Sequence, residues 1–196
     1  MFLAEPPHDD RVRALYDDDR GSDGYVNNLT RLWAWRPDVE AAARAARAAV
    51  ADDSALTDED RAALVVAAAT ARQDSYCALA WGRRLAELTD PATAASVLRG
   101  DTDAVDPRIA ALSAWATQVV RDPNATTPDD VDRLREVGLG DREIFEATAF
   151  VALRLAFSTV NDALGAEPDR QLVDRAPAEV AGAVTFGRTP PEAPSA

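Results

Sequence analysis

Residues 72–85, RQDSYCALAWGRRL, contain the chain's one cysteine, Cys77, with Asp74 three residues before it, Tyr76 beside it and Trp81 four residues after it. A thiol does chemistry as the thiolate, and an unperturbed cysteine near neutral pH is mostly protonated. Asp74 and Ser75 are both good helix N-caps, so the sulfur is expected in the first helical turn, where the positive end of the helix dipole lowers its pKa. Arg72, Arg83 and Arg84 would act in the same direction, whereas the Asp74 carboxylate would raise it. These effects oppose one another, so the residues leave two readings open: a reactive thiol, or a small apolar side chain buried in a helix.

Trp81 lies one turn after Cys77 on the same face. The aromatic segment GYVNNLTRLWAWRP contributes Tyr25, Trp33, Trp35 and Arg36, which would wall an apolar pocket for a small aromatic or lipid-like ligand if it packs over the Cys77 helix. Tyr76, Trp33, Tyr25, Arg84 and Arg154 are the pocket candidates. Equally, Trp33, Trp81 and Trp115 would serve to fill gaps between alanine-rich helices. Arg154 sits within FVALRLAFSTVNDALG, too apolar a block for an unpaired charge. It should reach solvent or meet a carboxylate such as Asp74 or Asp162, as a structural ion pair or as a substrate-binding group. With one cysteine and one histidine, neither an intramolecular disulfide nor a zinc cluster can form. His8, near the start, reads as a solvated surface residue, and no metal or cofactor is expected.

The elements that must position these residues are helical. The 196 residues are 47% hydrophobic but only 6% aromatic, and runs such as AAARAARAAVA and ALVVAAATA show that alanine supplies much of the apolar content. Alanine is the best helix former, and no block shows the β-branched alternation of a strand, so the chain reads as all-α. A short helix is expected near residues 9–18, broken by Gly21 and Gly24, and Pro37 opens the next, which carries Val39, Ala42, Ala43, Ala46 and Val50 on one stripe. Thr57 and Asp60 form a capping box for a helix burying Leu64, Val65, Ala68 and Ala69. Pro91 and Pro107 start further helices, Thr126 or Thr127 caps another that stops at Gly138, and residues 141–165 form the longest block, apolar on more than one side. Setting the segment from Asp60 against that from Asp141 gives a weak internal echo that pairs Cys77 with Ser158. The tail GRTPPEAPSA is expected to be disordered.

A formal net charge of −13 disfavours nucleic acid and anionic membrane surfaces as partners. No apolar run approaches a membrane span and the N-terminal residues lack a signal pattern, so a cytoplasmic location is the expectation.

The run LTDEDRAALVVAAATARQDSYCALAWGRRLAEL, followed by DPNATTPDDVDRLREVGLGDREIFEATAFVALRLAFSTVNDALG, resembles the carboxymuconolactone decarboxylase and alkylhydroperoxidase D family, especially its peroxidase-related members. The resemblance spans roughly residues 25–170, which implies a family-like helical domain there, an N-terminal extension over 1–24 and a C-terminal extension over 171–196. It also implies a homo-oligomer, a trimer or hexamer. Redox-active members have a Cys-x-x-Cys pair, a histidine four residues beyond it and a glutamate upstream. Here Cys77 takes the second cysteine's place, while Asp74, Trp81 and Ala62 stand where the others would be. No intramolecular disulfide can then form, and neither indole nor alanine can relay a proton. The resemblance implies an alkylhydroperoxidase-like antioxidant protein acting on a small hydroperoxide through Cys77, with Asp74 and Trp81 as the other catalytic candidates and an external thiol as reductant. The alternatives are a non-redox enzyme acting on a small organic acid through Asp74, and a catalytically lapsed binding or assembly protein.

Overall fold

The computed structural model describes residues 1–190. Among them are eleven α-helices, one short 3-10 turn and no strand, in agreement with the all-α reading. Four helices build the core: α4 (Asp58–Arg72), α5 (Ser75–Leu88), α7 (Pro107–Arg121) and α9 (Asp141–Ala163). Around them lie α1 (Asp10–Ser22), α2 (Asn28–Trp33), α3 (Pro37–Ala51), α6 (Pro91–Arg99), α8 (Pro128–Glu136), α10 (Arg170–Arg175) and α11 (Ala178–Ala183).

Helix α4 is central because its middle is apolar on every side. All of Ala62 to Ala69 is buried, well beyond the expected stripe, and α5, α6, α7 and α9 all pack on it. Its start is held by the expected capping box: Asp60 N–H donates to Thr57 Oγ1 at 3.1 Å and Thr57 N–H to Asp60 Oδ2 at 2.9 Å. Asp60 also accepts two hydrogen bonds from Arg108 of α7, at 2.8 and 2.9 Å, so one carboxylate caps α4 and ties it to α7. At the other end Gln73 adopts the left-handed conformation (φ 58°), which turns the chain into α5 with Asp74 as N-cap.

Gly82 lets α6 and α11 close on α5. A Cβ there would come within 2.9 Å of Val180 Cγ1 and 3.1 Å of Leu98 Cδ1. Val180 is fully buried, so the C-terminal residues complete the core.

Several local expectations change in three dimensions. The first helix runs past Gly21 to Ser22, and the chain turns at Gly24 (φ 84°), since a glycine in a last turn is tolerated whereas a left-handed residue ends the helix. The apolar stripe of α3 is only half-buried: Val39 is 41% exposed and Ala42 is exposed, Ala43, Ala46 and Val50 are half-buried, and the fully buried residue of that helix is Glu40, because α3 rides on the outside of α9. The internal echo pairs the two helices α4 and α5, with their turn, with the single continuous helix α9, so the two segments are not repeats of one unit. Of the tail expected to be disordered, Gly187 and Arg188 pack on the start of α5, where Ser75 Oγ donates to the Arg188 carbonyl at 2.6 Å. Residues 191–196 lie outside the described residues.

Candidate functional site

The turn between α4 and α5 and the second half of α9 enclose Cys77. Asp74 Oδ1 accepts the Cys77 N–H at 2.9 Å, as an N-cap should, and this fixes the sulfur in the first turn of α5. Ser158 of α9 meets it from across the core, Oγ to Sγ at 3.4 Å, and one guanidinium nitrogen of Arg154 donates toward Sγ at 3.6 Å. Cys77 is 3% exposed and Asp74 1%. Burial pushes the thiol up to about 12, the Asp74 carboxylate adds to that, and Arg154 and Ser158 act against it. The resting sulfur is therefore a protonated thiol facing two groups that favour its charged form.

Arg154 is the unusual member. Of the two expected outcomes, solvent or a carboxylate, the ion pair with Asp74 or Asp162 does not form: among the described residues no carboxylate oxygen lies within 4.0 Å of Arg154, which is half-buried. Its guanidinium instead lies over Trp81, 4.9 Å from the ring centroid, and near Phe157 at 5.5 Å, so aromatic faces take the place of a counter-ion. Phe157 in turn stacks on Trp33 (5.0 Å, 9°) and carries Arg47 of α3 at 4.3 Å, while Trp33 Nε1 donates to Asn161 Oδ1 at 2.8 Å. Three buried polar atoms in this region have no partner: Asp74 Oδ2, Arg154 Nε and Asn161 Nδ2. Buried polar atoms are normally satisfied, so Asp74 Oδ2 and Arg154 Nε each keep capacity for one further hydrogen bond. A crevice of about 10 Å³ opens beside Sγ, lined by Arg72, Arg154, Ser158 and small apolar side chains. It has room for about one water.

Cys77, Asp74, Trp81, Trp33 and Arg154 are thus brought together, Trp81 and Trp33 through the arginine–aromatic stack. The remaining pocket candidates are elsewhere. Tyr76 points to the opposite side of α5, where its hydroxyl donates to the buried Asp169, and Tyr25 lies in that second cluster under Arg175. Arg84 is on the surface, paired with Asp58 and Glu87. A helix sends residues one position apart in different directions, which is why Tyr76 cannot share the sulfur's surroundings. Arg36 is bound to Asp38 on the surface, and Trp115 donates to Thr148 between α7 and α9. Sequence reasoning did not single out Arg47, Phe157 or Asn161, and met Ser158 only through the echo. One signal was available: Arg154, Ser158 and Asn161 are spaced four and three apart, one face of a helix. Among the described residues no group of His, Cys, Asp and Glu could hold a metal, and no helix is long and apolar enough to cross a membrane.

No family model and no curated protein matches the chain. Solved structures do. The alkylhydroperoxidase AhpD core of an uncharacterized peroxidase-related protein from Ralstonia eutropha JMP134 is 25% identical, with a TM-score of 0.76 over 87% of this chain and 93% of that one. An uncharacterized peroxidase-related protein from Silicibacter sp. TM1040 superposes with a TM-score of 0.78 at 20% identity, again over 87% of this chain and 93% of the other. The debrominase Bmp8 has the same fold at 13% identity, with a TM-score of 0.73 over 94% of this chain and 98% of its own; a variant of it is known in complex with 2,3,4-tribromopyrrole.

Proposed function

We propose that this chain, which belongs with the alkylhydroperoxidase D-like proteins by its fold and by the segments that resemble them, is a single-cysteine peroxidase that reduces a small hydroperoxide at the expense of an external thiol. The observation that carries the reading is the Cys77 sulfur lying between the Arg154 guanidinium at 3.6 Å and the Ser158 hydroxyl at 3.4 Å, with no carboxylate among the described residues paired to that arginine. Cys77 Sγ attacks the terminal peroxide oxygen, the O–O bond breaks, and the thiol's proton ends on the departing alkoxide, giving cysteine sulfenic acid and an alcohol. A first external thiol condenses with the sulfenic acid and releases water. A second takes the mixed disulfide apart, restoring Cys77 and leaving the reductant as its disulfide. Arg154 stabilises the thiolate and the negative charge growing on the leaving oxygen. Asp74 holds the backbone of the first turn and opposes ionisation, so the resting thiol stays protonated. The cytoplasm, with its pool of small thiols, is the compartment that suits this cycle.

The test is hydrogen peroxide consumption with glutathione as reductant, in the wild type and in Cys77→Ser, together with trapping of the sulfenic acid by dimedone. Turnover and the adduct should both vanish in the variant. Turnover that survives Cys77→Ser removes the thiol from the mechanism. The unpartnered Asp74 Oδ2 favours a second reading, in which that carboxyl is the acid or base of a non-redox reaction on a small organic acid, as the debrominase shows that this fold is not confined to peroxide chemistry. Under that reading Asp74→Asn abolishes activity and Cys77→Ser does not.

A further inference from the structure

All 21 basic residues of the chain are arginine, set among 34 acidic ones. In such an excess of carboxylates an arginine finds a partner easily, and most do. Of those without one among the described residues, all but two are exposed to water. The two exceptions are Arg47 on α3 and Arg154 on α9, both partly buried. They come together on one aromatic ring: Arg47 lies 4.3 Å and Arg154 5.5 Å from the Phe157 centroid. Arg154 also keeps a buried Nε–H without an acceptor. Desolvation, and then the charge of Arg154, push the Arg47 pKa down, and the charge of Glu40, itself paired with Arg44, offsets this only in part. Cation–π contacts offset part of this, but they supply no acceptor for guanidinium N–H groups.

We infer that Arg47 and Arg154 form an anion subsite beside the thiol crevice, and that the substrate is a hydroperoxide bearing a carboxylate. This rests on the peroxidase reading of Cys77. Guanidinium forks match a carboxylate in plane and charge, and Arg154 touches both the subsite and the sulfur. A carboxylate held there lets a peroxide oxygen a few bonds away enter a crevice with room for one water-sized group. The bulk of the molecule stays outside. Neutral hydroperoxides would react without this anchor.

Benzoate serves as the probe of the subsite, and thermal unfolding as a readout independent of catalysis. At matched ionic strength, sodium benzoate should raise the melting temperature of the wild type above the sodium chloride control, and Arg47→Gln should remove that gain. Absence of any gain over chloride, or a gain retained in Arg47→Gln, overturns the inference. So does a change of oligomeric state in Arg47→Gln without any benzoate effect, because the anion would then be a carboxylate of a second copy. Alkylation of Cys77 connects the subsite to the thiol. Iodoacetate and iodoacetamide differ in charge but little in size, and the wild type should favour iodoacetate, relative to glutathione as a free thiol, by roughly tenfold, the effect of one or two unit charges at short range in a partly screened site. Arg47→Gln should slow iodoacetate more than iodoacetamide; equal slowing overturns the link to Cys77. If benzoate binds and Cys77→Ser leaves peroxide turnover intact, the anion subsite stands and the thiol mechanism falls.

Discussion

Replacing Asp74 by asparagine separates the two roles this residue plays at the sulfur. Asparagine keeps an acceptor for the Cys77 N–H, now 2.9 Å from Oδ1, and ranks with aspartate as an N-cap, so α5 should start in the same place. The negative charge, however, is gone. Two unit charges about 4 Å apart interact by about 4 kcal/mol at an effective dielectric of 20, an upper bound equivalent to a pKa change of about 3. Allowing for the opposing Arg154 and for relaxation, a fall of about 2 is the working figure, from about 12 toward about 10. At pH 8 the thiolate fraction then rises roughly a hundredfold. A less basic thiolate is also a weaker nucleophile, and a Brønsted coefficient of about 0.4–0.5 returns roughly tenfold of that gain. The alkylation rate of Cys77 with iodoacetamide should therefore increase about tenfold, measured at pH 8 by mass spectrometry with thermal unfolding as a check on the fold. An unchanged or slower rate in a folded Asp74→Asn protein would refute the claim that Asp74 restrains the thiol.

Three further outcomes follow from the packing. Gly187 (φ 73°) would place a Cβ 2.6 Å from the Gln73 carbonyl and 2.7 Å from Ser75 Oγ, whereas Gly100 (φ 72°) has open space, so Gly187→Ala should cost roughly 2–4 kcal/mol and Gly100→Ala about 1 kcal/mol in urea unfolding; equal costs would show that the C-terminal residues are not packed on α5. Burial, then the nearby Asp74, raise Asp162 to about 6, while Arg72 and Arg188 pull it down. Its native pKa is above the unfolded value, so the stability it contributes is full below about pH 4 and lost as pH rises through about 6; discounted for partial exposure, Asp162→Asn should stabilise the protein by about 1 kcal/mol at pH 8 and by nothing at pH 4, and a pH-independent effect would contradict this. Phe145 on α9 is 71% exposed and Val39 on α3 41%, so we expect a homo-oligomer, a trimer or a multiple of one, whose mass Phe145→Asp reduces in light scattering; a 21.0 kDa wild-type monomer at all concentrations would overturn it.

Local chemistry made much of the fold legible before any coordinates. Thr57 with Asp60, Asp74, Pro91, Pro107 and Thr127 each mark a helix start, because a cap or a proline acts through backbone groups two or three residues away and needs nothing distant. The alanine runs likewise determined that the elements are helices and that they pack closely. What a helix face meets is a different kind of information. The stripe of α3 looked like any buried stripe, yet α3 lies outside α9. Arg154 was expected in solvent or against a carboxylate, yet Trp81 and Phe157, 73 and 3 residues away, supply much of its environment. Tyr76 and Cys77 are adjacent in the chain but belong to different clusters, one with Asp169 and one with Ser158. The single thiol, the helix that presents it and the lack of a second cysteine to resolve it could all be read from the residues alone. That this thiol is buried and protonated, that Arg154 faces it without a paired carboxylate and that Arg47 joins Arg154 at Phe157 became visible in three dimensions alone, since burial and charge pairing depend on which distant side chains the core brings within a few ångströms.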